Sequence, residues 1–142
     1  MGNLGVADIT VTQLRRVSVS GGDVLHILKE SDLEFMGFGE AYFSLVEFNA
    51  VKAWKRHMRM TLNLAMPVGR AKFVFIDDGG AIREEVIGEN RYARLTVPPG
   101  IWFGFQGIYS PTSLLLNIAD IPHDPKEVER RELSEFAYNW EM

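Results

Sequence analysis

Short apolar segments separated by glycine and proline turns run along most of the chain, and this pattern constrains the fold more than any other feature. Three candidate strands lie in the first half, at residues 9–19, 24–28 and 41–48. The second half holds five more at short, regular intervals, at residues 70–76, 82–87, 92–97, 102–106 and 113–118. Many short strands divided by turn residues are typical of a β-sandwich or a closed β-barrel.

Residues 51–65 are ambiguous between helix and strand. They contain Lys, Arg, Met and Leu, which are good helix formers, so propensity alone favours a helix. Tertiary contacts can override such a preference, and the Pro-Val-Gly sequence at residues 67–69 ends the segment in a tight turn. Both structures are therefore compatible with the sequence of this segment.

The C-terminal part of the chain, from Pro122 onward, has a different character. Its charged residues predict a short solvated helix or an extended arm. The apolar residues Phe136, Tyr138 and Trp140 alternate along the last segment. We expect these three side chains to pack against the barrel or against a partner subunit.

The composition is that of one globular domain, which we expect to span residues 1–142. The 15 Lys and Arg residues are outnumbered by 19 Asp and Glu residues, which argues against a nucleic-acid partner. The chain has no cysteine, so disulfides and thiolate metal sites are excluded.

The location is expected to be the cytoplasm, without membrane association. No secretory signal is visible at the start of the sequence, and no segment approaches the roughly 18 apolar residues of a membrane span. Gly2 is a poor myristoylation site, because Val6 stands where the motif has Ser or Thr.

Two segments carry a spacing that places functional groups inside a small β-barrel. Residues 51–69 have the sequence VKAWKRHMRMTLNLAMPVG, and residues 97–107 have the sequence VPPGIWFGFQG. This spacing is similar to that of the paired cupin motifs, which contain His-x-His, a Glu and a Gly, and then Pro-x-Gly-x-x-His. With His57 and Gly69 as anchors, the residues at the usual metal-ligand positions are Lys55, His57, Leu62 and Phe103.

Three of these four residues are unable to bind a metal ion. A protonated lysine has no lone pair, and Leu62 and Phe103 offer no ligand atom. One imidazole is not sufficient, since stable sites normally have three or four protein ligands. We therefore expect no metal and no other cofactor.

A wider likeness covers nearly the whole chain. The sequence resembles the dTDP-4-dehydrorhamnose 3,5-epimerase-like cupins in the segments FGFGEAYFSLVEFNAVKAWKRHMRMTLNLAMPVGRAKFVFIDD, IGENRYARLTVPPGIWFGFQG, LLLNIADIPHDP and FAYNWE. The resemblance implies an all-β, single-domain cupin jelly-roll β-barrel with a short C-terminal charged segment. It also implies a homodimer and a metal-independent enzyme that acts on nucleotide-linked 4-keto-6-deoxy sugars.

The residues that the resemblance associates with catalysis differ in this chain. A histidine base of the family is matched by Lys55, and a tyrosine acid is matched by Leu116. Strand alternation would place Lys55, His57 and Arg59 on one face, so that Lys55 and His57 both enter the pocket. We predict His57 and Lys55 as the catalytic pair, with a histidine that only hydrogen-bonds a neighbour as the alternative.

Substrate binding is assigned to basic, polar and aromatic residues near this segment. The candidates are Arg59, Lys72, Arg70, Asn63, Trp102 and Asn117. Basic side chains suit a phosphate or an enolate, and an aromatic ring suits a nucleobase. The alternatives are that some basic residues only face water, that Trp102 belongs to the core, and that the asparagines make buried hydrogen bonds.

Three functions are therefore compatible with the sequence. The first is an epimerase or isomerase that moves a proton at a carbon next to the ketone of a nucleotide sugar. The second is a catalytically inactive cupin that binds a sugar nucleotide or a small anion. The third is a structural or partner-binding cupin.

Overall fold

The structure, a computed structural model, describes residues 4–141, so the expectation about Gly2 concerns a residue outside this range. Twelve strands lie within the described residues. They are β1 (Thr10–Gln13), β2 (Arg16–Val17), β3 (Val24–Leu25), β4 (Glu40–Glu47), β5 (Val51–His57), β6 (Leu62–Val68), β7 (Arg70–Ile76), β8 (Ile82–Gly88), β9 (Ala93–Val97), β10 (Trp102–Gly107), β11 (Thr112–Ala119) and β12 (Val128–Arg130). The described residues also contain two 3-10 turns, Val6–Asp8 and Leu133–Glu135.

Ten of the strands form two five-stranded sheets. The first sheet has the order β1-β9-β6-β11-β4 and the second has the order β12-β5-β10-β7-β8, with antiparallel pairing of neighbours in both. One hydrophobic core, with members from both sheets, lies between them and includes Leu64, Met66, Phe73, Phe75 and Leu95. Each such fully buried side chain contributes about 1.5–3 kcal/mol. The all-β jelly-roll prediction is confirmed.

The ambiguous segment at residues 51–65 forms strand β5 and the beginning of β6, not a helix. The helix propensity of its residues is overridden because β5 lies between β12 and β10, and β6 lies between β9 and β11. Strand β5 ends at His57, two residues before Arg59, whereas the predicted alternation needed the strand to include Arg59. The prediction that Arg59 continues this strand face is therefore wrong.

The turn between β6 and β7 requires its glycine. Gly69 has φ of +83°, and a Cβ atom there would lie 2.1 Å from the hydroxyl oxygen of Ser113. The Ser113 hydroxyl accepts a hydrogen bond from the amide of Arg70 at 3.0 Å. A larger residue at position 69 would therefore break the contact that joins this turn to β11.

The C-terminal segment packs on the outer side of the second sheet. Trp140 is buried there with Trp54, Val74, Ile76 and Trp102, and Phe136 and Tyr138 pack against the same group. We call these seven residues the aromatic cluster. The expectation that the terminal aromatic residues pack against the barrel is confirmed, and β12 attaches the preceding segment to the edge of the sheet.

Among residues 4–141, no helix has the length and apolar character that crossing a membrane requires.

Candidate functional site

A cavity of about 550 Å³ opens between the edges of the two sheets. Strands β4, β5, β10, β11 and β12 all contribute to its wall, as does the segment that follows β12. The side chains in its wall include Ser44, Lys52, Lys55, Phe103, Asn117 and Arg130. Because aromatic rings, amines and amides converge here, the cavity has the mixed lining typical of a small-molecule site.

His57 and Glu127 form a buried pair next to this cavity. Nδ1 of His57 lies 2.8 Å from Oε1 and 3.1 Å from Oε2 of Glu127, and the two residues are only 7% and 4% exposed. The backbone amide of Met58 donates a further hydrogen bond to Glu127 at 3.3 Å. The imidazole is not part of the open cavity wall. Phe103 is part of that wall, and its ring centre lies 6.4 Å from the centre of the imidazole ring.

The hydrogen bond to Glu127 determines the tautomer of His57. A carboxylate only accepts hydrogen bonds, so Nδ1 carries the proton and Nε2 carries the lone pair. Nε2 is buried and has no hydrogen-bond partner among residues 4–141. Burial lowers the pKa of His57, Lys55 and Arg130 lower this pKa further, and Glu127 opposes the shift. The ring is therefore neutral at pH 7, with a free lone pair on Nε2.

Lys55 occupies the cavity wall directly opposite Phe103 on the neighbouring strand. Its Nζ atom lies 5.6 Å from the centre of the Phe103 ring. Burial lowers the pKa of Lys55, and the positive charges of Arg130 and Lys52 lower it further, while Glu127 raises it. Lys55 and Phe103, which stand at two positions where the cupin motifs have histidines, are therefore cross-strand neighbours in this protein.

Arg130 brings a second positive charge to the cavity. It is the register partner of Lys55 on β12 and lines the same cavity. No carboxylate of the described residues lies within salt-bridge distance of either side chain. Lys52 also lines the cavity, and its Nζ atom donates a hydrogen bond to the carbonyl oxygen of Leu45 at 2.6 Å. Arg131, Glu132 and Glu135 also line the cavity, so its basic side chains outnumber its acidic ones, and this excess favours an anionic ligand.

The opposite wall is polar and uncharged. Asn117 on β11 donates hydrogen bonds from Nδ2 to the Ser44 hydroxyl at 3.0 Å and to the Tyr42 carbonyl oxygen at 3.3 Å. Tyr42 is the register partner of Asn117 and shares a strand face with Ser44. Burial raises the pKa of Tyr42, with Glu40 acting in the same direction and Arg130 against it. A neutral phenol therefore stands on the same face of β4 as Ser44, although Tyr42 itself is not part of the cavity wall.

Of the six predicted substrate-binding residues, only Asn117 lines this cavity. Arg59 lies beyond the end of β5, with a side chain 61% exposed and paired with Asp124 at 3.1 Å. Arg70 begins β7 at one end of the barrel, next to the groove formed with Glu89 and Tyr109.

The other three predicted residues lie on the outer faces of the sheets. Lys72 has its Nζ atom 5.1 Å from the Tyr138 ring centre and 5.6 Å from that of Trp140. Trp102 is buried in the aromatic cluster. Asn63 donates to the Glu34 carbonyl oxygen at 3.2 Å and accepts from the Thr96 hydroxyl at 2.6 Å, so it makes the buried hydrogen bonds of the alternative interpretation.

Glu127 and Arg130 were missed by the sequence analysis, which assigned both to a charged tail. The clue available in the sequence is small: a single valine, Val128, between charged residues. Only the pairing of β12 with β5 brings Glu127 to His57 and Arg130 to Lys55, over a separation of 70 residues or more.

The residues at the cupin metal-ligand positions do not fit a metal ion. Leu62 is a core residue, Phe103 packs against Phe75, and the Nδ1 atom of His57 is already engaged by Glu127. Within residues 4–141, no three His, Cys, Asp or Glu side chains are grouped in a way that would hold a metal.

Two facing antiparallel sheets with a cavity at their open edge define a cupin, and solved structures share this fold. A dTDP sugar isomerase from Desulfovibrio desulfuricans G20 matches with a TM-score of 0.91 and 35% sequence identity, over 98% of this chain and 95% of that chain. The chain belongs to the dTDP-4-dehydrorhamnose 3,5-epimerase-like family of cupins.

More distant structures agree in fold. A dTDP-4-dehydrorhamnose 3,5-epimerase from Sulfolobus tokodaii matches with a TM-score of 0.81 and 18% identity, over 96% of this chain and 84% of that chain. A sugar 3,4-ketoisomerase from Thermoanaerobacterium thermosaccharolyticum, solved with TDP, matches with a TM-score of 0.77 and 14% identity, over 89% of this chain and 90% of that chain. No family model and no curated protein matches the sequence.

Proposed function

We propose that the protein is an epimerase or isomerase that binds a nucleotide-activated 4-keto-6-deoxysugar and transfers a proton at a carbon next to the ketone. The observation that carries this proposal is the buried His57–Glu127 pair beside a positively charged cavity. The similarity to a protein named a dTDP sugar isomerase supports the choice of substrate class.

The proposed base is Nε2 of His57. This atom has a free lone pair, and burial keeps water from competing for it. When Nε2 takes the proton, the imidazolium ion is stabilised by the Glu127 carboxylate at 2.8 Å, which also holds the ring in place. The proposal requires the Phe103 ring to make room for the sugar, because Phe103 lines the cavity beside the imidazole and His57 does not line it.

Arg130 is proposed to bind the negative charge of the substrate, and Lys55 keeps its catalytic assignment beside it. A pyrophosphate group would neutralise the unpaired positive charges, and an enolate formed at the ketone would be stabilised by the same field. Tyr42 is the proposed proton donor, since Leu116 points away from the cavity on the outer side of β11, where it pairs with Phe43. Asn117 is proposed to contact the sugar from the opposite wall.

Arg59, Lys72, Arg70, Asn63 and Trp102 have no place in this cavity. Their roles in substrate binding remain predictions. The proposal further takes the chain as a single cupin domain, metal-independent, in a cytoplasmic homodimer. A sugar 3,4-ketoisomerase of the same fold has been solved with TDP-4-keto-6-deoxyglucose, which makes this compound a suitable probe.

An inactive cupin that binds a sugar nucleotide or a small anion is the second candidate. It is favoured by the replacement of the family base by Lys55 and of the family acid by Leu116. A structural or partner-binding cupin is the third candidate, and it predicts no affinity for nucleotide sugars.

Hydrogen exchange separates the three functions. The protein is incubated with TDP-4-keto-6-deoxyglucose in deuterium oxide, and loss of the proton signals at carbons 3 and 5 is followed by NMR. The proposed enzyme gives exchange faster than a protein-free control. Binding without exchange would contradict catalysis and favour the inactive cupin, and the absence of binding would favour the third candidate.

A further inference from the structure

The two lysines of the cavity have different surroundings. Nζ of Lys52 donates a hydrogen bond to the Leu45 carbonyl oxygen at 2.6 Å, so this amine is held against the wall. Nζ of Lys55 instead faces the ring of Phe103 at 5.6 Å from its centre, on the opposite strand of the same sheet. Lys55 therefore presents an amine to the cavity that the described residues do not hold in place.

The charges around Lys55 favour its neutral form. Arg130 faces it from β12, Lys52 and His57 lie on its own strand, and β10 contributes the uncharged Phe103. Glu127, the carboxylate that raises the pKa of Lys55, is bound to His57, and Glu132 and Glu135 also line the cavity. Burial lowers the pKa of Lys55, and the neighbouring cations reinforce this shift. Desolvation beside another cation is how enzymes convert a lysine into a nucleophile.

We propose that the amine of Lys55 forms a Schiff base with the ketone carbon of the bound sugar, and that His57 then removes the proton from the adjacent carbon. This inference rests on the proposed function, because it needs a carbonyl compound in the cavity. A cationic C=N bond attracts electrons more strongly than a neutral ketone, so the adjacent C–H bond becomes more acidic. Lys55 would thereby activate the adjacent C–H bond in a chain that has Leu116 at the position of the family's tyrosine acid.

The step balances without another reagent. The nitrogen lone pair adds to the ketone carbon, and the carbonyl π electrons move to oxygen, which gives a carbinolamine. The oxygen leaves as water after receiving one proton from the nitrogen and one from solvent, and an iminium ion remains. His57 takes the proton of the adjacent carbon, and the C–H electrons form an enamine. Return of a proton to carbon and addition of one water release the ketone and the lysine.

The test is reductive trapping with a defined probe. The protein is mixed with TDP-4-keto-6-deoxyglucose and sodium cyanoborohydride, which reduces iminium ions in preference to ketones. The expected product is one covalent adduct per chain, with the mass of the probe less one water plus two hydrogens. Peptide mapping should place it on Lys55. Lys55→Arg has a side chain of similar length that stays protonated and forms no imine, so it should lose the adduct, whereas Lys52→Arg should keep it.

Deuterium exchange on the same samples separates this inference from the proposed function. Exchange by the wild-type protein without any adduct would overturn the Schiff base and leave the isomerase standing. An adduct that persists in Lys55→Arg would overturn the assignment to Lys55. An adduct on Lys55 without exchange would support the lysine chemistry and contradict the proposed catalysis. If neither binding nor exchange occurs, both fail together.

Discussion

Oε1 of Glu127 lies 2.8 Å from Nδ1 of His57, and both side chains are buried although 70 residues separate them in the chain. The carboxylate raises the pKa of His57 against the effect of burial, which lowers it. It also fixes the proton on Nδ1. Glu127 therefore sets both the orientation and the basicity of the proposed base.

Glu127→Gln should lower kcat/KM for the isomerisation by about 10- to 100-fold, a part of what a general base contributes. The pKa of His57 should fall further without the carboxylate. Because the base acts in its neutral form, the acidic limb of the pH profile should move to lower pH. The measurement is the pH dependence of kcat/KM. Glu129→Gln is the matched control, since Glu129 lies on the same segment but is exposed and paired with Arg56. An unchanged profile in Glu127→Gln would contradict the role of the carboxylate.

The same pair should be strongly coupled in stability. His57→Ala leaves the buried Glu127 carboxylate without the imidazole N–H that donates to it, and a hydrogen bond to a charged group contributes about 1.5–3 kcal/mol. The double variant His57→Ala/Glu127→Ala removes that charge and should be destabilised by less than the sum of the two single variants. Urea denaturation of all four proteins at pH 7 gives the coupling energy. If the losses of stability in the two single variants add up to the loss in the double variant, the two side chains do not stabilise each other.

Lys55 should reduce the stability of the fold. Its pKa is lowered by burial, so the folded protein binds this proton less tightly than the unfolded chain. Lys55→Met should raise the free energy of unfolding by about 0.5–2 kcal/mol at pH 7. The wild-type protein gains stability as the pH rises toward the ordinary lysine pKa of 10.5, so the advantage of the variant should shrink in the same direction.

Urea denaturation of Lys55→Met between pH 6 and pH 9 tests this, with the exposed Lys126→Met as the control. A variant no more stable than the wild-type protein at any pH would show that the fold tolerates the buried amine without cost.

Local patterns predicted most of the strands but not the partners that complete the site. Residues 9–19, expected as one strand, form β1 and β2 in different sheets. Strand β7 begins and ends where its apolar run indicated, at Arg70 and Ile76, because its side chains are buried on both faces. Residues 51–65 were ambiguous because their conformation depends on pairing with strands 30 or more residues away. Alternation placed Lys55 and His57 on one face, but only Lys55 of the two lines the cavity, and alternation failed for Arg59 because β5 ends at His57. Strand β12 has three residues, too few for any periodic signal.

Arg130 and Arg59 therefore give opposing predictions for substrate binding. Both residues are exposed, but Arg130 lines the cavity and has no salt-bridge partner among the described residues, whereas Arg59 lies outside the cavity and is paired with Asp124. Arg130→Gln should weaken binding of TDP by about 10- to 150-fold, since a charged hydrogen bond contributes about 1.5–3 kcal/mol. Its salt dependence should also decrease. Isothermal titration calorimetry compares this variant with Arg59→Gln. A larger loss in Arg59→Gln would favour the sequence-based assignment over the cavity.

The aromatic cluster ties the C-terminal segment to the sheet that carries the proposed base. Trp140 contacts Trp54 at 5.3 Å and Tyr138 at 4.9 Å between ring centres, and it is buried although it lies near the end of the chain. Trp140→Ala should destabilise the protein by about 3–5 kcal/mol, the usual cost of removing a buried aromatic side chain. Thermal and urea denaturation measure this loss. Phe43→Ala is the control, because Phe43 is exposed on β4 in the other sheet. A loss for Trp140→Ala no greater than that of the control would mean that the terminal segment contributes little to the fold.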